Sequence, residues 1–356
     1  MKVMTITGIR PDFIRMSALF KKIDEKFEHI LVHTGQHYDR MLSDVFFEEL
    51  EIRKPDYNLS IGAHGNKHYH QLADLSVKVI DLIKENDLKP DWILFLGDSN
   101  SVLASVPLRK EGFKIGHIEA GMRSFDKRMF EETNRIVCDH CSDHLFVYHN
   151  DYACNCFKEG IDSKAVSVVG NTIVEVCKPF VKGLKALPKK KDCILMDIHR
   201  PENFNHKDRM GNILSQAKDY GVVYDLPVKM LNFGGTIRKI EEYNLSMYGI
   251  EVIDLMSYKN YLRAQYDCLF MISDSGTAQE EPALLDTPVL VPRDFTERPQ
   301  SVSGNCSYKI DANHDITSIF SVSWLNDILE GKIQMSTEWL GDGKTADRIV
   351  DILGEI

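Results

Sequence analysis

Three carboxylates stand where apolar runs of the chain end. Asp98 closes the run WILFLGD, Glu119 lies near the end of KIGHIEAG, and Glu131 follows RSFDKRMF at the start of a helical stretch that contains Arg135. Acidic side chains are rarely buried without partners, and Arg123, Arg128 and Arg135 are near enough in sequence to be those partners. The chemical reading of the same pattern is a cluster that takes a proton from a substrate and returns one, its pKa values set apart by their surroundings.

Cationic and anion-binding features accompany these acids. Gly8-Ile9-Arg10-Pro11 leaves the first apolar run and enters a helical pattern. A helix N-terminus offers backbone N–H groups and partial positive charge to a phosphate, and Arg10 could add a two-pronged contact. Taken alone the segment is equally a tight turn with an exposed arginine. Ser275-Gly276-Thr277 repeats the arrangement after CLFMISD. Glu280 and Glu281 follow it, both suited to the helix dipole, and a carboxylate at that distance from a diphosphate site could also bind ribose hydroxyls. His199-Arg200-Pro201-Glu202-Asn203 and Arg298 add further polar groups after apolar runs.

Such positions require a particular scaffold. Lys2 to Thr7 and the runs at 29–35, 91–98, 114–121, 144–150 and 165–171 read as strands, with helical spacing after Pro11 and over 71–86. A second series runs through 192–199, 251–255, 268–276 and 287–294. Strands alternating with helices predict an α/β fold of two doubly wound, Rossmann-like parallel sheets. We expect domains over 1–170 and 171–340, facing across a cleft, with the candidate residues at strand carboxyl ends where ligands bind in such sheets. LPKKKD (187–192) reads as a turn with a solvated charge run, and 341–353 as a turn and an amphipathic helix.

Composition narrows the function. With 356 residues and 43% hydrophobic content the chain exceeds one core, since single cores stop growing near ~250–300 residues. A net charge of -10 argues against nucleic-acid and membrane-surface partners. The start MKVMTITGIRPDF lacks the pattern of a signal peptide, and no run is long enough to span a bilayer. The expectation is a cytoplasmic protein with eight reduced cysteines. Cys138, Cys141, Cys154 and Cys156 lie near His140, His144 and His149, but their spacing suits buried thiols better than zinc ligands.

Taken in order, these segments resemble the non-hydrolysing UDP-N-acetylglucosamine 2-epimerase family. The resemblance runs through GIRPDFIRMS (8–17), HTGQHYD (33–39), GDSNS (97–101), HIEAGMRS (117–124), EETNR (131–135), VVGNT (168–172), HRPEN (199–203), SDSGTAQEE (273–281), RDFTERPQ (293–300) and GDGKTADRIVDIL (341–353). It implies a glycosyltransferase-B-like fold, a terminal helix (341–356) that packs back on the N-terminal domain, and a homodimer. It implies Asp98, Glu119 and Glu131 as catalytic carboxylates. Arg10, Arg15, His199, Arg200, Ser275, Gly276, Thr277, Glu281 and Arg298 would contact the UDP-N-acetylhexosamine, with Tyr261 near the uracil. The implied reaction eliminates UDP to a 2-acetamidoglycal and adds it back, and needs neither metal nor cofactor.

Four positions depart from the family pattern. Arg15 stands where many members have lysine, Thr277 where glycine is usual, Phe130 where proline is usual, and Asn232 where a histidine is usual. RSFDKRMFEETNR is closer to members acting on 6-deoxy or 2,3-diacetamido sugars. Competing readings are a hydrolysing 2-epimerase, a glycosyltransferase on the same architecture, and a UDP-sugar binding protein without turnover. His37 and the loop 64–71 are candidate places for regulation or sugar selection.

Overall fold

Short apolar runs closed by glycine or an acid do become strands, and the longer periodic segments between them become helices. The computed structural model describes residues 1–35, 44–61, 67–314 and 317–356; His37 and residues 64–66 of the expected loop lie outside them. The chain forms two compact units, one from Met1–Val176 with Leu340–Ile356, the other from Cys177–Trp339.

The first unit holds a seven-stranded sheet of β1 (Lys2–Thr7), β2 (Glu28–His33), β3 (Tyr57–Asn58), β4 (Trp92–Leu96), β5 (Ile115–Ile118), β6 (His144–Val147) and β7 (Val166–Val168). Their order is β3-β2-β1-β4-β5-β6-β7, and every pairing is parallel. The second unit holds β8 (Ile194–Asp197), β9 (Val228–Leu231), β10 (Ile250–Ile253), β11 (Phe270–Ser273), β12 (Val289–Val291) and β13 (Ser307–Lys309). Their order is β10-β9-β8-β11-β12-β13, again parallel. In each sheet the order reverses beside the first strand, between β1 and β4 and between β8 and β11. That is where ligands bind in doubly wound folds.

Burial on both faces explains the apolar strands. Ile93, Leu94 and Phe95 of β4, and Phe270, Met271 and Ile272 of β11, are fully buried. Three strands carry no such signal in sequence. β3 is two residues long, VKML of β9 contains a lysine, and β13 is SYK. The expected loop at 64–71 shortens, because a helix already begins at His68. The charge run at 187–192 is also more than a solvated surface. Lys189 Nζ donates to the carbonyls of Leu285 and Asp286 and to Thr287 Oγ1, and lies over the Tyr266 ring. Burial pulls its pKa down to about 8.

The terminal helix (Thr345–Glu355) packs on the first helix (Arg10–Lys26). It buries Ala346, Ile349, Val350 and Leu353, while Lys26 pairs with Asp351 at 2.9 Å and Lys22 with Asp347 at 3.1 Å on the rim. The chain enters this helix through a close backbone approach. Asn171 N donates to Leu340 O at 2.8 Å, and a Cβ on Gly341, whose φ is +91, would lie 3.1 Å from Gly170 Cα.

Gly341→Ala is therefore expected to cost about 1–3 kcal/mol, read as a fall of roughly 2–4 °C per kcal/mol in the apparent thermal midpoint. Gly183→Ala, in the helix Thr172–Lys185 with open space at its Cβ, should leave the midpoint unchanged or raise it.

Candidate active site

In the first unit the register of the sheet sets two acids side by side. Leu96 of β4 pairs with Ile118 of β5, so Asp98 and Glu119 leave neighbouring strands at the same end. Glu119 turns out of β5 with φ +68, and Gly97 turns out of β4 with φ +75. The Glu119 carboxylate lies 4.0 Å from where a Cβ on Gly97 would be.

Each acid has its own buried arginine. Glu119 Oε2 meets Arg15 of the first helix at 2.8 Å, both side chains nearly inaccessible. Asp98 is bound by Arg135 of the helix Phe130–Cys141. Arg135 is fully buried and also holds Glu132 at 3.0 Å. Asn134 donates to the Asp98 carbonyl at 2.9 Å. Of the arginines considered from sequence, Arg135 is thus the partner of Asp98. Arg123 goes instead to Asp139 and Glu159, and Arg128 binds Asp126. Glu131 sits half-buried in the first turn of that helix. Its neighbour Glu132 caps the preceding turn, accepting from the amides of Ser124 and Phe125 at 2.9 Å each.

A fourth acid completes this end of the sheet. The amides of Gly8 and Ile9, expected to face a phosphate, donate instead to Asp12 Oδ2 at 2.8 and 3.1 Å. Ser99 Oγ reaches the same oxygen at 3.4 Å and Ser101 Oγ in turn. Gly8 leaves no room for anything larger, since a Cβ there would strike Ser101. Asp12 therefore ties the β1 turn to the β4 turn where the strand order reverses. Burial, with smaller effects of Asp98 and Glu119, pushes its pKa up to about 7 against two opposing backbone hydrogen bonds. Asp12 carried no sequence signal, because an acid after proline in a first turn looks like ordinary helix-dipole compensation. Arg10 and Pro11 open the helix beside it.

The second unit has a counterpart. Asp274, directly after β11, accepts from the amides of His199 and Arg200 at 3.0 and 3.1 Å and from Asn203 at 2.9 Å. His199 Nδ1 lies 2.8 Å from Asp197 Oδ1, whose other oxygen accepts from Tyr261 at 2.7 Å. Burial works against charge on His199, but Asp197 beside the ring outweighs it and raises the pKa. Among the described residues, Asp197, His199 and Asp274 have their donor atoms within 4.8 Å of one another, as metal ligands would. Their own hydrogen bonds account for that closeness. The Phe233 ring lies 4.8 Å from His199. Asn232, just before it, is exposed at the end of β9, its amide on Ile253 O.

The Ser275-Gly276-Thr277 segment opens a single turn of 3-10 helix, Thr277–Gln279. Ser275 and Thr277 share a hydrogen bond of 3.0 Å. Arg298 packs where a Cβ on Gly276 would be and binds Glu280 at 2.7 Å and Glu297 at 2.5 Å. Glu280 is thus an ion-pair partner of Arg298. Glu281 is buried, accepting from Tyr258 at 2.9 Å and Gln265 at 3.0 Å. Cys138 and Cys156 are buried free thiols, while Cys154 is exposed.

Residues 21–354 match the family described as UDP-N-acetylglucosamine 2-epimerase, and the chain belongs to that family. It is 34% identical over 377 residues to the UDP-N-acetylglucosamine 2-epimerase of Methanococcus maripaludis, covering 99% of this chain and 98% of that protein. It is 32% identical over 364 residues, with both chains covered completely, to the UDP-2,3-diacetamido-2,3-dideoxy-D-glucuronate 2-epimerase of Pseudomonas aeruginosa. The Methanocaldococcus jannaschii UDP-GlcNAc 2-epimerase, crystallised with UDP-GlcNAc and UDP, superposes with a TM-score of 0.87 at 30% identity, covering 100% of both chains. The protein is accordingly an epimerase with a glycosyltransferase-B-like fold.

Folding raises the Asp12 pKa from 3.8 to about 7, so the folded chain keeps a proton that the unfolded chain has already lost. That contribution to stability is complete below the unfolded value and disappears as pH climbs to the folded one. In urea titrations at pH 5, 6, 7 and 8, Asp12→Asn should gain on the parent up to about pH 7 and no further. A difference that does not change with pH would remove the proton from Asp12.

Proposed function

We propose that this epimerase is of the non-hydrolysing kind and inverts C2 of a UDP-N-acetylhexosamine, working as a cytoplasmic homodimer. The observation that carries the reading is the pairing of Asp98 and Glu119 on adjacent strand ends, each held by a buried arginine. Carbon 2 of the sugar is not next to a carbonyl, so its proton is not acidic. Removing it becomes feasible when the electron pair forms a C1–C2 double bond and UDP departs with the C1–O pair. Return of UDP to C1, with a proton delivered to the other face of C2, gives the epimer. Two proton-handling groups are required, and Asp98, Glu119 and Glu131 are our candidates.

The departing diphosphate carries charge that cations must meet. We assign Arg10, Arg15, His199, Arg200 and Arg298 to it, with Ser275, Gly276 and Thr277 beside them, Glu281 at the ribose and Tyr261 towards the base. The Asp197 carboxylate 2.8 Å from His199 Nδ1 favours the charged form of that ring. The hydroxyl contact of Tyr261 with Asp197, at 2.7 Å, makes it also the brace that orients that histidine. UDP-GlcNAc is the first sugar to test. The full-length likeness to a diacetamido-glucuronate epimerase makes that UDP-sugar the second.

Proton NMR in D₂O should show deuterium entering C2 and a new anomeric signal still bonded to UDP. Release of UDP with a free reducing sugar would instead identify a hydrolysing enzyme. Binding of every UDP-sugar tried, with no exchange, would mark a protein without epimerase chemistry. Asp98→Asn and Glu119→Gln should each abolish exchange while UDP affinity stays within about tenfold, roughly 1.4 kcal/mol. Near-parent turnover in either variant removes that carboxylate from the mechanism.

A further inference from the structure

His117 is fully buried in β5, two residues before Glu119. Its Nδ1 lies 2.6 Å from Asp139 Oδ1 and its Nε2 lies 2.8 Å from the Gly97 carbonyl oxygen. A carbonyl has no proton to give, so Nε2 donates. Asp139 is equally committed to accepting. Its other oxygen takes the Gly121 amide at 3.1 Å and an Arg123 nitrogen at 2.7 Å. Burial alone would raise the Asp139 pKa, but His117 and Arg123 outweigh it and hold the carboxyl below its ordinary range. With acceptors at both nitrogens, the ring is an imidazolium. Burial opposes that charge as well, and the Asp139 carboxylate beside the ring raises the pKa against it.

The hydrogen bonds of this network end on the backbone around both proposed reacting acids. Gly97 immediately precedes Asp98. Gly121 and Arg123 follow Glu119, and Arg123 also holds the Met122 carbonyl at 2.7 Å and Glu159 at 2.8 Å. Gly97, Glu119 and Gly121 have φ values of +75, +68 and +73. A non-glycine residue in that region persists only where its surroundings hold it. At Glu119 the Phe146 carbonyl takes the amide at 3.1 Å, and the charged network pins the chain on either side.

We propose that His117 is a positioning residue for the epimerase reaction. Its two hydrogen bonds, one to the Gly97 carbonyl and one to Asp139, fix the left-handed turns that present Asp98 and Glu119. This rests on the assignment of those carboxylates to the reaction. A residue of this kind changes the rate of the chemical steps and leaves substrate affinity almost untouched.

His117→Asn and Asp139→Asn test it, assayed with UDP-GlcNAc and normalised to competent protein by calorimetric titration with UDP. Each should lower kcat at least tenfold while KM stays within threefold. The double variant should fall no further than the worse single, because the pair acts as one unit. Should His117→Asn fail to fold, Arg123→Lys is read in its place with the same expectation. A kcat within twofold of the parent, a rise in KM at constant kcat, or additive losses would each overturn the positioning role. If the parent turns over neither UDP-GlcNAc nor the diacetamido-glucuronate UDP-sugar, the proposed function falls. The ¹⁵N spectrum of histidine-labelled protein at pH 7.5 then decides the charge separately. Two protonated nitrogens on His117 support the network, and one overturns it.

Discussion

A parallel strand that ends in a turn and a helix leaves backbone N–H groups with no partner in the sheet. Both sheets meet this constraint where their strand order reverses, and both meet it with a buried carboxylate. Asp12 collects the Gly8 and Ile9 amides and Ser99 from the neighbouring strand. Asp274 collects the His199 and Arg200 amides from across the strand boundary. In each case an acid of the chain takes the seat that an external anion could have taken, and two adjacent strand ends are locked together. The residues proposed for chemistry are held next to these locks.

The acids of the first unit differ in what faces them. Glu119 and Asp98 meet guanidinium groups, whereas the contacts of Asp12 are backbone amides and a hydroxyl. Dipoles offset less of the burial penalty than a full opposite charge does. One strand-end cluster therefore contains carboxyl groups in unlike electrostatic settings, a condition acid–base enzymes commonly use.

Much of this was legible in the chain. The bounds of β1 follow from KVMTIT between Met1 and the glycine at position 8. Asp98 and Glu119 could be placed at strand ends because apolar runs and glycines frame both. Their adjacency needed the sheet order, which sequence spacing does not carry. Asp12, His117 and Asp139 were missed for a common reason. Each lies inside a helix or strand pattern where a polar residue looks incidental, and its importance comes from a partner distant in sequence: Ser99 is 87 residues from Asp12, and Asp139 is 22 from His117. Lys189 hid in a charge run, and its half-buried clasp depends on the turn at 285–287. β9 and β13 were obscured by polar residues that the sheet edge and its neighbours accommodate.

The terminal helix has a consequence for how the chain is made. Its buried face belongs to the first unit, and 163 residues of the second unit, Cys177–Trp339, are translated between the two parts. At ribosomal rates of about 5–20 residues per second, that interval is roughly 8–30 s. During it the first helix offers an apolar face whose covering segment does not yet exist. The second unit is contiguous, so its own chain is complete before the helix that closes the first unit is made. Until that helix emerges, the apolar face of the first helix stays open to other partners.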